Sequence, residues 1–222
     1  NGYPAETLHE TIPNFHNTED RLAKFLTAVA ADKLGRAKKV QPEIQFVLDR
    51  RADCSVALNA LKEGVLPLRV THNDTKLNNI LIDRESHEGI CVIDLDTTMP
   101  GLSINDFGDS IRFGANHSAE DEKDLSKVNL DLGRYEVFTR GFLQGADGIL
   151  TEAELEYLPW RARLMTLECG IRFLTDYLDG DNYFHVCYPE QNLDRSRTQF
   201  KLVWDMEQQF EDMHEIVKKY AI

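Results

Sequence analysis

Residues 66–99 read LPLRVTHNDTKLNNILIDRESHEGICVIDLDTTM, and this stretch decides the fold. An apolar run at 66–70 leads into the polar segment THNDTKLNN, and a second apolar run at 80–82 follows that segment. A polar turn at 84–89 reverses the chain, and a third apolar run at 90–95 leads to two aspartates. Apolar runs separated by polar turns in this order predict a β-hairpin with ionisable side chains at its open end.

The polar residues of this hairpin have a spacing that suits phosphoryl transfer. His72, Asp74 and Asn79 form HxDxxxxN, and Asp94 follows Asp74 by twenty positions at the end of a strand that we expect to be buried. Phosphoryl transfer needs a carboxylate that takes the proton of the attacking hydroxyl, and an amide oxygen and a second carboxylate that hold Mg²⁺ on the triphosphate. The simpler alternative is a polar hairpin in which Asp and Asn serve only the turn.

HxDxxxxN followed by a strand that ends in IDxD resembles the catalytic region of the aminoglycoside phosphotransferase and choline kinase group, which shares its core with protein kinases. The segments VTHNDTKLNN, VIDLDTTMPGLS and DFGDSIRFGA resemble most closely the bacterial N-acetylhexosamine 1-kinases, over about residues 11–213. The resemblance implies Asp74 as the catalytic base and Asn79 and Asp94 as the metal ligands. It also implies Mg²⁺ as the metal, ATP as the phosphoryl donor, and the anomeric hydroxyl of an N-acetylhexosamine as the acceptor.

Three further residues receive supporting roles. We expect His72 to bond loop backbone rather than to act as an acid or base. Asp96 lies two positions after Asp94, so in a strand both side chains point to the same side. Asp106 opens the sequence DFG, the metal motif of protein kinases, but it follows the turn-rich stretch PGLSIN. We therefore leave the metal with Asp94 and expect Asp106 to be a helix N-cap that also bonds the backbone of the catalytic loop.

Two substrate-binding candidates lie outside the hairpin and depend on the resemblance. Phe113, in SIRFGA, matches a ring that stacks on a sugar face. Arg172, in CGIRFLTDYL, matches an arginine near the N-acetylated sugar. From the residues alone, Phe113 is equally a core residue, and Arg172 is equally the partner of Glu168 in an ion pair four residues apart on a helix.

The rest of the chain is predicted to be helical. Helices are expected from about residue 17, over 42–48, over 56–61 and after Asp106, and then over 131–142, from a capping box at 151–154, and as one last helix over about 193–220. The fold class is α+β, mostly α, the C-terminal lobe of a protein-kinase-like fold, with residues 1–222 as a single lobe. No glycine-rich strand pair and no strand lysine precede the hairpin. We therefore expect the nucleotide-binding N-terminal lobe to be absent from this chain, and the isolated lobe to be inactive.

Composition limits the partners. A net charge of −13 argues against nucleic acid and anionic membranes, since either requires a basic surface. The four cysteines are scattered without a CxxC pair, and no signal peptide or membrane-length apolar run is present, which together favour a cytoplasmic protein. The expected partners are ATP and a small sugar.

Other functions remain open at this stage. Choline, ethanolamine and aminoglycoside kinases share the same loop, and their cationic substrates would suit an acidic protein. Asp94-Leu95-Asp96 is also a DxD, the metal motif of many nucleotide-sugar glycosyltransferases, although that function leaves Asp74 and Asn79 unexplained. A non-catalytic module built on a kinase-like lobe is the third alternative.

Overall fold

The computed structural model describes residues 3–221, which form a mostly helical chain with two small antiparallel sheets. The helices in these residues are α1 Thr18–Ala31, α2 Gln41–Asp49, α3 Val56–Lys62, α4 Ser103–Gly114, α5 Leu132–Ala146, α6 Glu152–Asp179, α7 Gln191–Gln208 and α8 Phe210–Tyr220. The strands are β1 Arg69–Thr71, β2 Ile80–Ile82, β3 Gly89–Val92 and β4 Met99–Gly101. This content agrees with the predicted mostly α member of the α+β class.

Helix α6 is the centre of the core and packs against α1, α4 and α7. Its apolar residues recur with the helical period, and each of them is at most 1% exposed: Leu164, Leu167, Ile171, Leu174 and Leu178. Burial of each such side chain contributes about 1.5–3 kcal/mol. This apolar stripe is therefore the face of α6 against which the neighbouring helices pack.

Glu154 fixes the strand that enters the hairpin. It completes the predicted capping box, because its backbone N–H donates to Thr151 Oγ1 at 3.1 Å and its Oε2 accepts from the Thr151 N–H at 2.8 Å. The same carboxylate accepts from Arg69 of β1 and from Ser103 of α4. Burial raises the pKa of Glu154, but these hydrogen bonds outweigh it and leave that pKa below its usual value. The ionised side chain thus joins β1, α4 and α6 behind the site.

The three apolar runs do not form one sheet. β2 and β3 pair as an antiparallel hairpin with Ile80 opposite Val92, whereas β1 pairs with β4, with Thr71 opposite Met99. Every residue of β2 and β3 is exposed, so the expectation of a buried strand before Asp94 is wrong. Within residues 3–221, both faces of this two-stranded ribbon are in solvent.

The predicted single last helix is also wrong, because α7 ends at Gln208 and α8 begins at Phe210. Gln209 leaves the helical conformation with φ −109° and ψ 17°. Its amide donates to Leu130 O at 3.4 Å, and Asp205 accepts from Leu130 N at 2.7 Å. No glycine or proline marks this break, so only the contact with the chain near Leu130 reveals it.

The four cysteines differ in burial. Cys54 is buried and Cys169 is half-buried, while Cys91 and Cys187 are exposed, and all four are free thiols.

Among residues 3–221, no helix combines the length and the apolar character that crossing a bilayer demands.

Candidate active site

Asp74 lies in the polar loop between β1 and a single 3-10 turn at Leu77–Asn79. Its Oδ2 accepts from Lys76 Nζ at 2.6 Å and from Asn79 Nδ2 at 3.0 Å. The Asp74 side chain is 25% exposed, and its Oδ1 accepts no hydrogen bond from residues 3–221. One carboxylate oxygen is therefore held in place while the other remains open to an incoming hydroxyl.

Lys76 is a candidate functional side chain that the sequence analysis missed. Its hydrogen bond to Asp74 raises the pKa of Lys76, and the carboxylates of Asp94 and Asp109 raise it further, against the opposing effect of burial. The ammonium therefore stays charged beside the candidate base, close to two more carboxylates. The signal was present in THNDTKLNN, where Lys76 is the sole lysine or arginine, two positions after Asp74.

Asn79 directs its amide group toward Asp74. Its Nδ2 donates to the backbone oxygen of Asp74 at 2.8 Å as well as to its carboxylate, which orients the whole amide. Asn79 Oδ1 accepts no hydrogen bond from the described residues, although the residue is only 5% exposed. The amide oxygen is thus held in one orientation with its lone pairs unused.

Asp94 is brought beside the loop by the residue before it. Ile93 N donates to Asn79 O at 2.9 Å, and Ile93 O lies 3.0 Å from His72 Nε2. Asp94 itself is exposed, has a left-handed backbone with φ 64°, and makes no side-chain hydrogen bond within residues 3–221. The contacts of Ile93 therefore hold the backbone that leads into Asp94 against Asn79 and His72.

The prediction that Asp96 follows Asp94 within one strand is wrong. The strand ends at Val92, and Asp96 lies in a 3-10 turn, Leu95–Thr97, rather than in a continuing strand. The alternation of a pleated strand therefore does not relate its direction to that of Asp94. Asp96 is exposed, and its backbone oxygen accepts from Thr11 Oγ1 at 3.4 Å.

Asp106 holds the backbone that leads into Asp74. Its Oδ2 accepts from the N–H of His72 at 2.9 Å, and its Oδ1 accepts from the N–H of Asn73 at 2.7 Å. Burial raises the pKa of Asp106, and these two hydrogen bonds partly offset that rise. Asp106 thus uses each of its carboxylate oxygens to anchor the backbone of the loop. The expected N-cap role is wrong, because α4 begins at Ser103 and Asp106 lies within its first turn.

His72 has a structural role in the described geometry. Asp74 N donates to its Nδ1 at 3.3 Å, so Nδ1 acts as an acceptor, and Nε2 therefore donates to Ile93 O. One ring thus bonds both the backbone of the candidate base and the segment that carries Asp94. Its own carbonyl accepts from Thr97 Oγ1 at 2.7 Å.

The two substrate candidates lie outside the hydrogen-bonded cluster around Asp74. Phe113 is in the last turn of α4 and is 37% exposed, so it is not a core residue. Arg172, on α6, does not pair with Glu168, which points into the interior, so the expected i, i+4 ion pair is wrong. The Arg172 guanidinium instead lies 5.8 Å from the ring centroid of Tyr183 and 5.3 Å from that of Phe184.

Arg172 lines a cavity of about 180 Å³ together with two rings, two further basic side chains and two carboxylates: Tyr183, Phe184, Arg21, Lys24, Asp176 and Asp179. The Arg172 guanidinium makes no hydrogen bond to residues 3–221. An arginine with its donors free, beside two aromatic rings, can bind a polar ligand that also has an apolar face.

A magnesium ion fits the oxygen donors that the loop supplies. Asn79 Oδ1 and the Asp94 carboxylate are hard ligands, and Mg²⁺ commonly takes one or two protein oxygens while phosphate and water complete its shell. No group of three or more His, Cys, Asp or Glu side chains suited to a metal occurs among residues 3–221. The two donors Asn79 Oδ1 and Asp94 suit a metal whose other ligands are phosphate and water.

The family model described as Phosphotransferase enzyme family, APH, matches residues 5–138, which is more than half of the 222-residue chain. The matched segment includes the whole hairpin and both Asp106 and Phe113. Arg172 lies outside it, so the match bears on the loop that carries Asp74 and Asn79 and not on Arg172.

Proposed function

The chain belongs to the phosphotransferase enzyme family, and we propose that it transfers the γ-phosphoryl group of ATP to a hydroxyl group of a small molecule. The observation that supports this most strongly is the state of the Asp74 carboxylate. One oxygen is fixed by Lys76 and Asn79, and the other accepts no hydrogen bond from the described residues. A general base needs this combination of fixed orientation and an available lone pair.

In the proposed reaction, the acceptor hydroxyl donates a hydrogen bond to Asp74 Oδ1. Its oxygen forms a bond to the γ-phosphorus as the bond from that phosphorus to the bridging oxygen of ADP breaks, and the hydroxyl proton passes to Asp74. Lys76 keeps a positive charge next to the group that gains the proton. A bound Mg²⁺ would supply neutralisation of the phosphate charge, and Asn79 Oδ1 and Asp94 would hold it.

The acceptor that we propose is the anomeric hydroxyl of an N-acetylhexosamine, which gives the sugar 1-phosphate. Support comes from the resemblance of residues 71–114 and 164–178 to hexosamine 1-kinases. It is strengthened by the half-exposed ring of Phe113 and by the free guanidinium of Arg172 beside Tyr183 and Phe184. Sugar rings present an apolar face to aromatic side chains and hydroxyl and amide groups to donors, which matches this set.

The principal alternative acceptor is a cationic alcohol, such as choline, ethanolamine or an aminoglycoside. The acidic balance of the chain favours it. The cavity beside Arg172 is lined by basic side chains (Arg21, Lys24 and Arg172) and also by the carboxylates of Asp176 and Asp179. The assay below separates this acceptor from the sugar.

The experiment is an ADP-release assay with the full-length gene product, ATP and Mg²⁺. The panel of acceptors is N-acetylglucosamine, N-acetylgalactosamine, choline, ethanolamine and kanamycin, and ³¹P NMR locates the new phosphate. Phosphate on the anomeric oxygen supports the sugar proposal. Turnover of choline or kanamycin alone removes the sugar assignment but keeps the phosphotransferase, and no turnover of any hydroxyl compound refutes the function.

A further inference from the structure

His16, just before α1, bridges the loop and the core helix α6. Its Nε2 lies 2.8 Å from the backbone oxygen of Asn73, and its Nδ1 lies 3.4 Å from Glu168 Oε1. The side chain of His16 is 11% exposed. Because a carbonyl oxygen only accepts, His16 donates a hydrogen bond to the residue directly before the candidate base.

The partner of His16 on α6 belongs to a buried charged group. The Glu168 side chain is 2% exposed, accepts from the hydroxyl of Thr18, and lies 3.6 Å from Arg161 Nη2, whose side chain is 1% exposed. Arg161 Nε and Nη2 have no hydrogen-bond partner in the described chain. A buried ion pair seldom stabilises a fold more than apolar side chains of the same volume would. Core packing alone therefore does not explain why the charged side chains of Glu168 and Arg161 are buried here.

The hydrogen bond from His16 fixes the oxygen of a peptide group whose N–H is also hydrogen-bonded. In the peptide that joins Asn73 to Asp74, the oxygen accepts from His16 Nε2 and the N–H donates to His72 Nδ1. A peptide group is planar, so bonds at both of its edges fix its rotation, and with it the direction in which the Asp74 side chain leaves the backbone. Asn73 has φ 66°, a left-handed conformation that surrounding contacts must hold in a residue other than glycine.

We propose that His16 is a positioning residue for Asp74, and that Glu168 orients the His16 ring. The catalytic consequence rests on the proposed phosphotransferase function, whereas the positioning itself does not. Asp106 holds the two N–H groups before Asp74, and His16 holds the carbonyl that Asp106 does not reach. The orientation of the base is thus set from two directions, by α4 and by the segment that precedes α1.

The test compares His16→Phe, which removes the donor but keeps a ring, with His16→Gln, which keeps a side-chain N–H. His9→Phe is the matched control, since His9 is an exposed histidine of the same segment. Amide hydrogen exchange of residues 72–74 is followed by NMR in the 222-residue chain, and kcat and KM for MgATP are measured in the full-length gene product. Glu168→Gln serves as a second route to the same ring if His16→Phe does not fold.

We expect His16→Phe to accelerate exchange at residues 72–74 by about tenfold, and to lower kcat by about 10–100-fold with a nearly unchanged KM for MgATP. His16→Gln should recover most of both losses, and His9→Phe should change neither. Exchange and kcat at wild-type values in His16→Phe overturn the proposal, as does a loss in His16→Gln as large as that in His16→Phe. Faster exchange in His16→Phe, together with a wild-type protein that phosphorylates nothing, supports the positioning and refutes the proposed function instead.

Discussion

Replacement of Glu168 by glutamine should change how the stability of the fold depends on pH. Burial raises the pKa of Glu168, but the hydrogen bond from His16 and the charge of Arg161 outweigh it and lower that pKa from 4.5 to about 2. Because the pKa is lower in the folded than in the unfolded chain, the ionised carboxylate stabilises the fold above about pH 4.5. This contribution is lost as the pH falls toward 2.

The size of the effect follows from the difference between the two pKa values. A shift from 4.5 to about 2 corresponds to about 3 kcal/mol at neutral pH. The wild-type chain should lose about 1 kcal/mol of this by pH 4 and about 2 kcal/mol by pH 3. Glu168→Gln cannot ionise, so the free-energy gap between the wild type and the variant should narrow by these amounts as the pH falls.

The assay is urea unfolding of the 222-residue chain, followed by circular dichroism at several pH values between 7 and 3. Glu211→Gln is the matched control, because Glu211 is an exposed glutamate of α8. Its free energy of unfolding should follow that of the wild type at every pH. A gap between the wild type and Glu168→Gln that stays constant from pH 7 to pH 3 would refute the assignment of a depressed pKa to the buried carboxylate.

Four further predictions concern the loop and the helices α4 and α5. Asp74→Asn should lower kcat by about 10²–10⁴-fold and leave nucleotide affinity nearly intact, since the amide cannot take the hydroxyl proton; retained turnover would remove Asp74 as the base. Lys76→Met should lower kcat by about 10²-fold, because the charge beside Asp74 is lost, and an unchanged kcat would contradict that role. Gly108→Ala should destabilise the fold by about 1–3 kcal/mol, as its Cβ would lie 2.9 Å from Arg161 O. Gly141→Ala, with nothing within 4 Å of the new Cβ, should stabilise α5 by about 0.5–1 kcal/mol in thermal unfolding.

Local patterns in the sequence predicted the helical framework correctly. The apolar stripe of α6 is buried along its length, and the capping box at Thr151 and Glu154 forms with both hydrogen bonds. These features depend on residues three or four positions apart, which a helix brings together whatever surrounds it. The predicted reversal between residues 80 and 92 also appears, as the β2–β3 hairpin.

The errors fall where a partner distant in sequence decides the geometry. Glu168 turns away from Arg172 because the core offers it Arg161 and His16, and a buried carboxylate must be paired. The last helix breaks at Gln209 because its side chain bonds to the chain near Leu130. Neither contact can be predicted from the residues that are nearby in sequence.

The sequence by itself determined the chemical groups of the candidate site, because the types and spacing of Asp74, Asn79 and Asp94 are written into one short stretch. Only the tertiary structure decided how those groups are oriented. Asp106 holds the loop from 32 positions after Asp74, and His16 holds it from the segment before α1, with Glu168 of α6 behind it. Orientation depends on hydrogen bonds between segments that meet only when the core has formed around α6. The types of the candidate reacting groups can therefore be predicted from the sequence, whereas the orientation of the candidate base cannot.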